Sequence, residues 1–317
     1  MSSFEDYQII EAPIPTPGEG QVVIRVAACG VGYVEALTAL GGYQLKAPLP
    51  FTPGGEVSGT VSAAGPGVTD LRAGDRVMTY LAGGGMVEYG LARAVNVTRI
   101  PDSLSFEQAA TVRTNTQTAL HALRDRGRIA PGERLLVFGA AGGVGVATIQ
   151  VGRLLGAEVI AVASTEEKRA FALQHGAHAV IDTQPEGWRD RLKEITGGKG
   201  IDVILDPVCG PLFELGFRSL AWNGRHLVVG FVGGIPTLKA NLTLMKGAAL
   251  MGVDLRQFRI FEPERSQANA RQVEAWLNAG ELVPPVGRLF PFDEYRQAMA
   301  FALSGKNLAK TVLVMPR

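Results

Sequence analysis

The stretch Arg134-Leu-Leu-Val-Phe-Gly-Ala-Ala-Gly-Gly-Val-Gly145, continued by Val146-Ala-Thr-Ile-Gln-Val-Gly-Arg-Leu-Leu-Gly156, decides the fold. Leu135 to Phe138 is an apolar run with the length and composition of a strand buried on both faces, and it passes without a polar break into a glycine-dense turn. Val144, Ala147, Thr148, Val151, Leu154 and Leu155 then recur at helical spacing, and Gly156 supplies a C-terminal stop. The turn reads Ala140-x-Gly142-x-x-Gly145, the spacing of a dinucleotide fingerprint with Ala in place of the first Gly. At such a turn Gly142 lets the backbone approach a pyrophosphate, and Gly145 lets the helix pack closely on the strand. The N–H groups of Gly143 and Val144, at the helix N-terminus, face the anion. With 40 Gly among 317 residues, a glycine triplet alone says little. Its context says more: Glu158-Val-Ile-Ala-Val-Ala-Ser164 is a second apolar strand, giving the strand, turn, helix, strand order that the fingerprint requires.

Outward from this unit the alternation continues. Strands are expected near 134–140, 158–164, 179–183, 201–206, 225–230 and 248–253, with helices near 144–155, 166–175, 186–196 and 210–220, the pattern of a doubly wound parallel sheet. The first hundred residues differ. Short strands, among them Gln21–Ala28, Gly54–Ser62 and Met86–Ala92, alternate with Gly and Pro turns, with a loop at 45–53 and a sharp turn at 83–85, as in a compact β-rich domain. Ser105 suits an N-cap, and Thr114 to Leu123 carries a helical pattern that bridges into the sheet domain. After Val253 a helix over 264–279, an extended 283–286, a helix over 292–304 and a strand over 311–315 cannot lengthen the alternating sheet simply. They are expected to return to the first domain. The fold class is therefore α/β, with the doubly wound domain at 113–253 inserted in a β-rich domain made of 1–112 and 254–317.

Composition narrows the function. An apolar fraction of 46% with 19% charged residues describes a globular protein, and a net charge of +1 gives no electrostatic reason to expect nucleic acid. No apolar run reaches about 18 residues, the length of a membrane span, and the N-terminus has no signal-like pattern, so a cytoplasmic protein is expected. Cys29 and Cys209 suit buried thiols better than a disulfide, and two Cys with four His at these spacings make no familiar metal site.

Several stretches, in this order along the chain, resemble the zinc-independent quinone oxidoreductases, the zeta-crystallin-like branch of the medium-chain dehydrogenase/reductase superfamily. Besides 140–145 these are Gly41–Gly59, Gly65-Pro-Gly-Val68, Ala73-Gly-Asp-Arg-Val77, Thr118-Ala-Leu-His-Ala-Leu123, Gly176-Ala-His-Ala-Val-Ile181 and Gly200–Val208. The resemblance implies a Rossmann domain inserted in a GroES-like catalytic domain, a homodimer, and a small-molecule substrate. The zinc-dependent branch carries a Cys where this chain has Gly32 and a Gly-His-Glu where it has Gly54-Gly-Glu56, and its structural zinc loop is missing, so no metal is expected. Against the quinone oxidoreductases, the customary first strand is expected to be absent. Gly32 stands where Asn is common, Glu35 where Asp is common, and Val112-Arg-Thr-Asn-Thr-Gln117 is unusually polar for its place.

The end of the second strand, about 20 residues past the fingerprint, selects the cofactor. It carries Ser164, Thr165 and Lys168 rather than a carboxylate, and hydroxyls with a cation suit the 2′-phosphate of NADPH. Glu166 and Glu167 then fall in the first turn of a helix, where acids are favoured. Transfer of hydride to a quinone or an α,β-unsaturated carbonyl needs a positioned acceptor and a donor for the oxygen that gains charge, and no nucleophile. Tyr43 and then Tyr33 are the candidate donors. By resemblance Asn115 and Thr118 lie on the helix beside the nicotinamide, and the Gly230–Gly234 loop, with Phe231 and Val232, closes on it; Arg113 is a candidate holder of an anionic acceptor. An NADPH-dependent quinone or enone reductase is the expected function. An enoyl-thioester reductase of the same fold and a low-turnover NADPH-binding module, or an RNA-binding one, remain as alternatives.

Overall fold

The computed structural model describes residues 3–44, 46, 48–81 and 84–316. Leu45, Ala47 and Gly83, in the loop expected at 45–53 and the turn at 83–85, lie outside the described residues. The chain divides into two compact units, Met1–Thr114 with Leu277–Arg317, and Asn115–Trp276.

The first unit is built on β1 (Gln21–Val31), a long strand rich in buried β-branched residues. After it come α1 (Tyr33–Ala39), β2 (Glu56–Ala64), β3 (Arg76–Tyr80), β4 (Tyr89–Arg93), β5 (Thr98–Arg99) and α2 (Phe106–Leu120). One edge of β1 is used twice: Gln21 to Arg25 pair with β4, and Ala28 to Val31 pair with the last strand of the chain. The other edge pairs with β2, which continues to β3 and β5.

The second unit opens within α2, whose last residues run on as one π-helical turn over His121–Arg126. Then β6 (Arg134–Val137), α3 (Gly143–Leu154), β7 (Glu158–Val162), α4 (Glu166–Gln174), β8 (Ala179–Ile181), α5 (Trp188–Ile195), β9 (Ile201–Asp206), α6 (Phe213–Arg218), β10 (Leu220–Val228), α7 (Asn241–Lys246) and β11 (Ala249–Gly252) alternate. The strands lie in the order β11-β10-β9-β6-β7-β8, and every pairing is parallel. All six expected strands are present. The chain runs outward from β6 to β8 and returns to the other side of β6 at β9. The carboxyl ends of β6 and β9 therefore flank the switch point where open α/β sheets bind ligands. Leu136, Ile160, Ile204, Trp188 and Phe217 fill the core of this unit.

Two helices were not legible in the sequence: α7, and α8 (Leu255–Phe261), which Asp254 caps by accepting the N–H groups of Arg256 and Gln257. Both α8 and most of α9 (Pro263–Asn278) stay with the parallel-sheet unit, although the loss of alternation after Val253 suggests an earlier return. Side-chain contacts hold them there. Phe258 stacks on His121 with ring centroids 3.8 Å apart, and Asn269 donates to Asp125. From Leu277 the chain belongs to the first unit, where β12 (Val286–Pro291), α10 (Tyr295–Leu303) and β13 (Lys310–Val314) complete the sheet. No helix among the described residues is long and apolar enough to cross a membrane.

Candidate active site

The turn between β6 and α3 folds back on itself: Gly139 has φ +59°, and its carbonyl accepts the N–H of Gly142. A Cβ on Gly145 would sit 2.2 Å from the Gly139 oxygen and 2.7 Å from Ala140 Cα, so only glycine fits where α3 crosses the strand end. Gly142 differs. It caps α3 in an extended conformation, and a Cβ there would meet only the Gly139 oxygen, at 3.3 Å. Val146 N–H is bonded to the Gly142 carbonyl, and the N–H groups of Gly143, Val144 and Gly145 precede the first intrahelical bond. Ala140 is fully buried, and its N–H donates to Val162 O, joining the turn to the end of β7.

Just beyond β7, Ser164 and Thr165 are exposed. Thr165 caps α4 by accepting the N–H of Lys168. Glu166 and Glu167 occupy the first turn, and Arg169 donates to Ala163 O. This edge offers hydroxyls and cations beside the dinucleotide turn.

On α2, Asn115 lies against α3: its Nδ2 is 2.6 Å from the place a Cβ on Gly143 would take. Thr116, Gln117 and Thr118 are buried. The unusual polarity of this stretch has a partner that the sequence could not show, since Gln117 Oε1 accepts from Arg259 of α8 at 2.9 Å. Phe231 and Val232 follow β10, each about half exposed. They are tethered to the end of β9 by Gly233 N–H, which donates to Val208 O at 2.7 Å.

Tyr33 opens α1 and Tyr43 follows it, both half-buried, in the first unit. Arg113 donates to the Asn96 carbonyl, which engages part of the guanidinium expected to hold an anion. Beneath Gly30 and Gly32 lies a cluster that sequence reasoning missed. Lys310, the first residue of β13, is buried and donates to Glu56 Oε2 at 2.7 Å, with Glu35 Oε1 at 3.5 Å. Glu56 Oε1 accepts the N–H of Thr114, and Glu35 Oε2 that of Gly32. Burial pushes the Lys310 ammonium down, but Glu35 and Glu56 more than offset it and hold the group above the ordinary lysine range. The neighbouring Cys29 thiol is pushed up to about 12, chiefly by burial, against the opposing charge of Lys310. No signal local to Lys310 marks this role; only the carboxylates Glu35 and Glu56 stood out in the sequence.

Residues 18–102 match the family described as Alcohol dehydrogenase GroES-like domain, and residues 143–271 the family described as Zinc-binding dehydrogenase. Glycines stand at Gly32 and Gly55, Glu56 is bonded to Lys310, and among the described residues no group of three or more His, Cys, Asp and Glu is arranged to hold a metal ion. Quinone oxidoreductase of Homo sapiens is 33% identical over 303 residues, which are 95% of this chain and 91% of the relative. The quinone oxidoreductase of Thermus thermophilus, solved alone and in complex with NADPH, has a TM-score of 0.83 at 30% identity, covering 97% of this chain and 95% of its own. CurK enoyl reductase gives 0.86 at 27% identity, covering 98% and 94%. The two-unit fold, the dinucleotide-type turn and this identity over nearly the whole chain make the protein an oxidoreductase of the quinone oxidoreductase family, within the medium-chain dehydrogenases/reductases.

Proposed function

We propose that this protein is a cytoplasmic, NADPH-dependent reductase that reduces quinones or α,β-unsaturated carbonyls. The observation that carries the reading is the turn at Gly142, half-buried at the start of α3 while Gly145 is buried and closed by packing, at the switch point of the sheet. A fit to the dinucleotide rests on three features: a half-buried Gly142 without a side chain, the N–H groups that begin α3, and hydroxyls with a cation at the end of β7. Gly142, Gly143 and Val144 hold the pyrophosphate, with Ala140 and Gly145 shaping the turn. Ser164, Thr165 and Lys168 hold the 2′-phosphate. Asn115, Thr118, Phe231 and Val232 orient the reactive end. When bound, the cofactor supplies hydride. The chain itself fixes the acceptor and gives a proton to its oxygen, from the hydroxyl of Tyr43 or Tyr33.

The likeness to CurK enoyl reductase supports a second reading, reduction of an enoyl thioester. Oxidation of NADPH against a quinone, an enone, a 2-alkenal and an enoyl-CoA separates the two. Turnover confined to the thioester selects the second, and tight NADPH binding without turnover of any acceptor rejects both in favour of a binding module.

The reading includes a homodimer. β11 ends the parallel sheet and pairs only with β10 among the described strands, while Trp222, Leu244 and Met245 near that edge are each more than 60% exposed. A second copy placed there would cover an apolar sheet edge. Sedimentation equilibrium is expected to give twice the chain mass, and Trp222→Asp to shift it toward the monomer.

A further inference from the structure

At the carboxyl end of β9 the carboxylate of Asp206 is 1% exposed and makes three hydrogen bonds. Oδ1 accepts the N–H groups of Val208 at 2.9 Å and Cys209 at 2.8 Å, and Oδ2 lies 3.0 Å from Nε2 of His226 on β10. His226 is wholly buried. Its ring lies 4.6 Å from that of Phe213 and 6.1 Å from that of Phe217, and Nδ1 has no hydrogen-bond partner. The imidazole therefore serves Asp206 through one nitrogen only, with the Nε2–H tautomer donating to the carboxylate.

What Asp206 holds is a short loop with little freedom. Cys209 sits at φ +52°, a left-handed conformation that costs energy for a residue with a side chain, and the Asp206 bond to its N–H holds it there. Val208 Cγ2 and Pro207 Cγ lie 3.0 and 3.5 Å from where a Cβ on Gly139 would be, so the loop abuts the dinucleotide turn. On its other side Val208 O accepts the N–H of Gly233, Asp206 O accepts that of Val229, and Gly210 Cα lies 2.8 Å from the place of a Gly233 Cβ. The loop at 207–210 is thus a spacer between the turn at 139–145 and the segment carrying Phe231 and Val232.

We infer that His226 is a positioning residue for dinucleotide binding: through Asp206 it fixes the 207–210 spacer and so the separation of the two cofactor loops. This rests on the proposed NADPH reading. His226→Leu removes the donor while keeping an apolar side chain, and leaves a buried carboxylate short of one partner. Its dissociation constant for NADPH, read by quenching of tryptophan fluorescence, is expected to rise about tenfold, the scale of one lost hydrogen bond to a charged group. His226→Gln, whose amide can still donate to Asp206, is expected to restore binding to within about threefold of the parent, which a role in packing alone would not do.

The parent supplies a second readout that needs no variant. NADPH should slow amide hydrogen exchange in a peptide covering 204–212 as well as in one covering 138–146. His226→Leu that folds and binds like the parent overturns the inference, as does protection by NADPH of 138–146 without 204–212. If the parent does not bind NADPH at all, the functional reading fails first and takes this inference with it.

Discussion

Lys310 Nζ and Glu56 Oε2 lie 2.7 Å apart, both buried, joining residues 254 positions apart in the chain. Glu35 completes the cluster, and each carboxylate also accepts a backbone N–H, from Gly32 or Thr114. A buried pair of this kind adds little over an apolar replacement, yet losing one member leaves an uncompensated charge. Lys310→Met is therefore expected to lose about 3–5 kcal/mol of unfolding free energy in urea. Lys310→Met combined with Glu56→Gln is expected to lose clearly less than the sum of the single changes. Additive losses would mean that the two groups do not act as a pair.

The two fingerprint glycines should separate binding from folding. Gly145→Ala places a methyl 2.2 Å from the Gly139 oxygen and is expected to cost several kcal/mol of stability, about 3 or more by analogy with overpacked core sites. Gly142→Ala meets only one atom, at 3.3 Å, and is expected to cost about 1 kcal/mol, as for loss of a good N-cap, while weakening NADPH binding at least tenfold. Thermal unfolding and a binding titration on both variants check this.

Cofactor choice should rest on Lys168. Lys168→Ala is expected to reduce kcat/KM for NADPH about tenfold, and that for NADH by less than about twofold, since one charge-assisted bond to the 2′-phosphate is lost. Equal losses with both cofactors would place Lys168 outside the phosphate site.

Alkaline pH should weaken the fold through its buried thiols and lysine. Burial pushes Cys29 and Cys209 up to about 12, with the Asp206 carboxylate adding to the effect at Cys209. An unfolded thiol ionises near about 8.5. Between these values the unfolded state holds fewer protons, so stability falls as pH rises from about 8.5. Lys310 acts in the same direction: its contribution is complete below the unfolded lysine value of about 10.4 and is lost as pH rises through its higher folded value. The unfolding midpoint in urea should drop steadily above about pH 9, and neither thiol should react with a disulfide reagent at about pH 8 until the protein is denatured. Rapid labelling of Cys29 in the folded protein would contradict this.

How much the sequence revealed follows the range of the interactions concerned. After their first residues the strands β6 and β7 read as apolar runs because the sheet is buried on both faces, and the glycines of the turn are required by contacts within six residues of one another. The acids Glu166 and Glu167 in the first turn of α4 are legible for the same local reason. The ion cluster was not, because Lys310 meets Glu35 and Glu56 only through the pairing of β13 with β1. Nor does the sequence explain the polarity of Arg113 to Gln117, because Gln117 accepts from Arg259, 142 residues on. His226 stood in an apolar strand with nothing nearby in sequence to mark Asp206 as its partner. The attachment of α8 is hidden for a like reason: His121 and Phe258 stack across a gap in sequence that periodicity cannot bridge.

The most direct measurement of the central claim is steady-state oxidation of the reduced nicotinamide by the parent protein with a simple quinone or enone, run with NADPH and with NADH in the presence of a metal chelator. Turnover that resists the chelator, with kcat/KM for NADPH at least about tenfold above that for NADH, is the predicted result. Absence of turnover with every quinone and enone tried, or a preference for NADH, would contradict it.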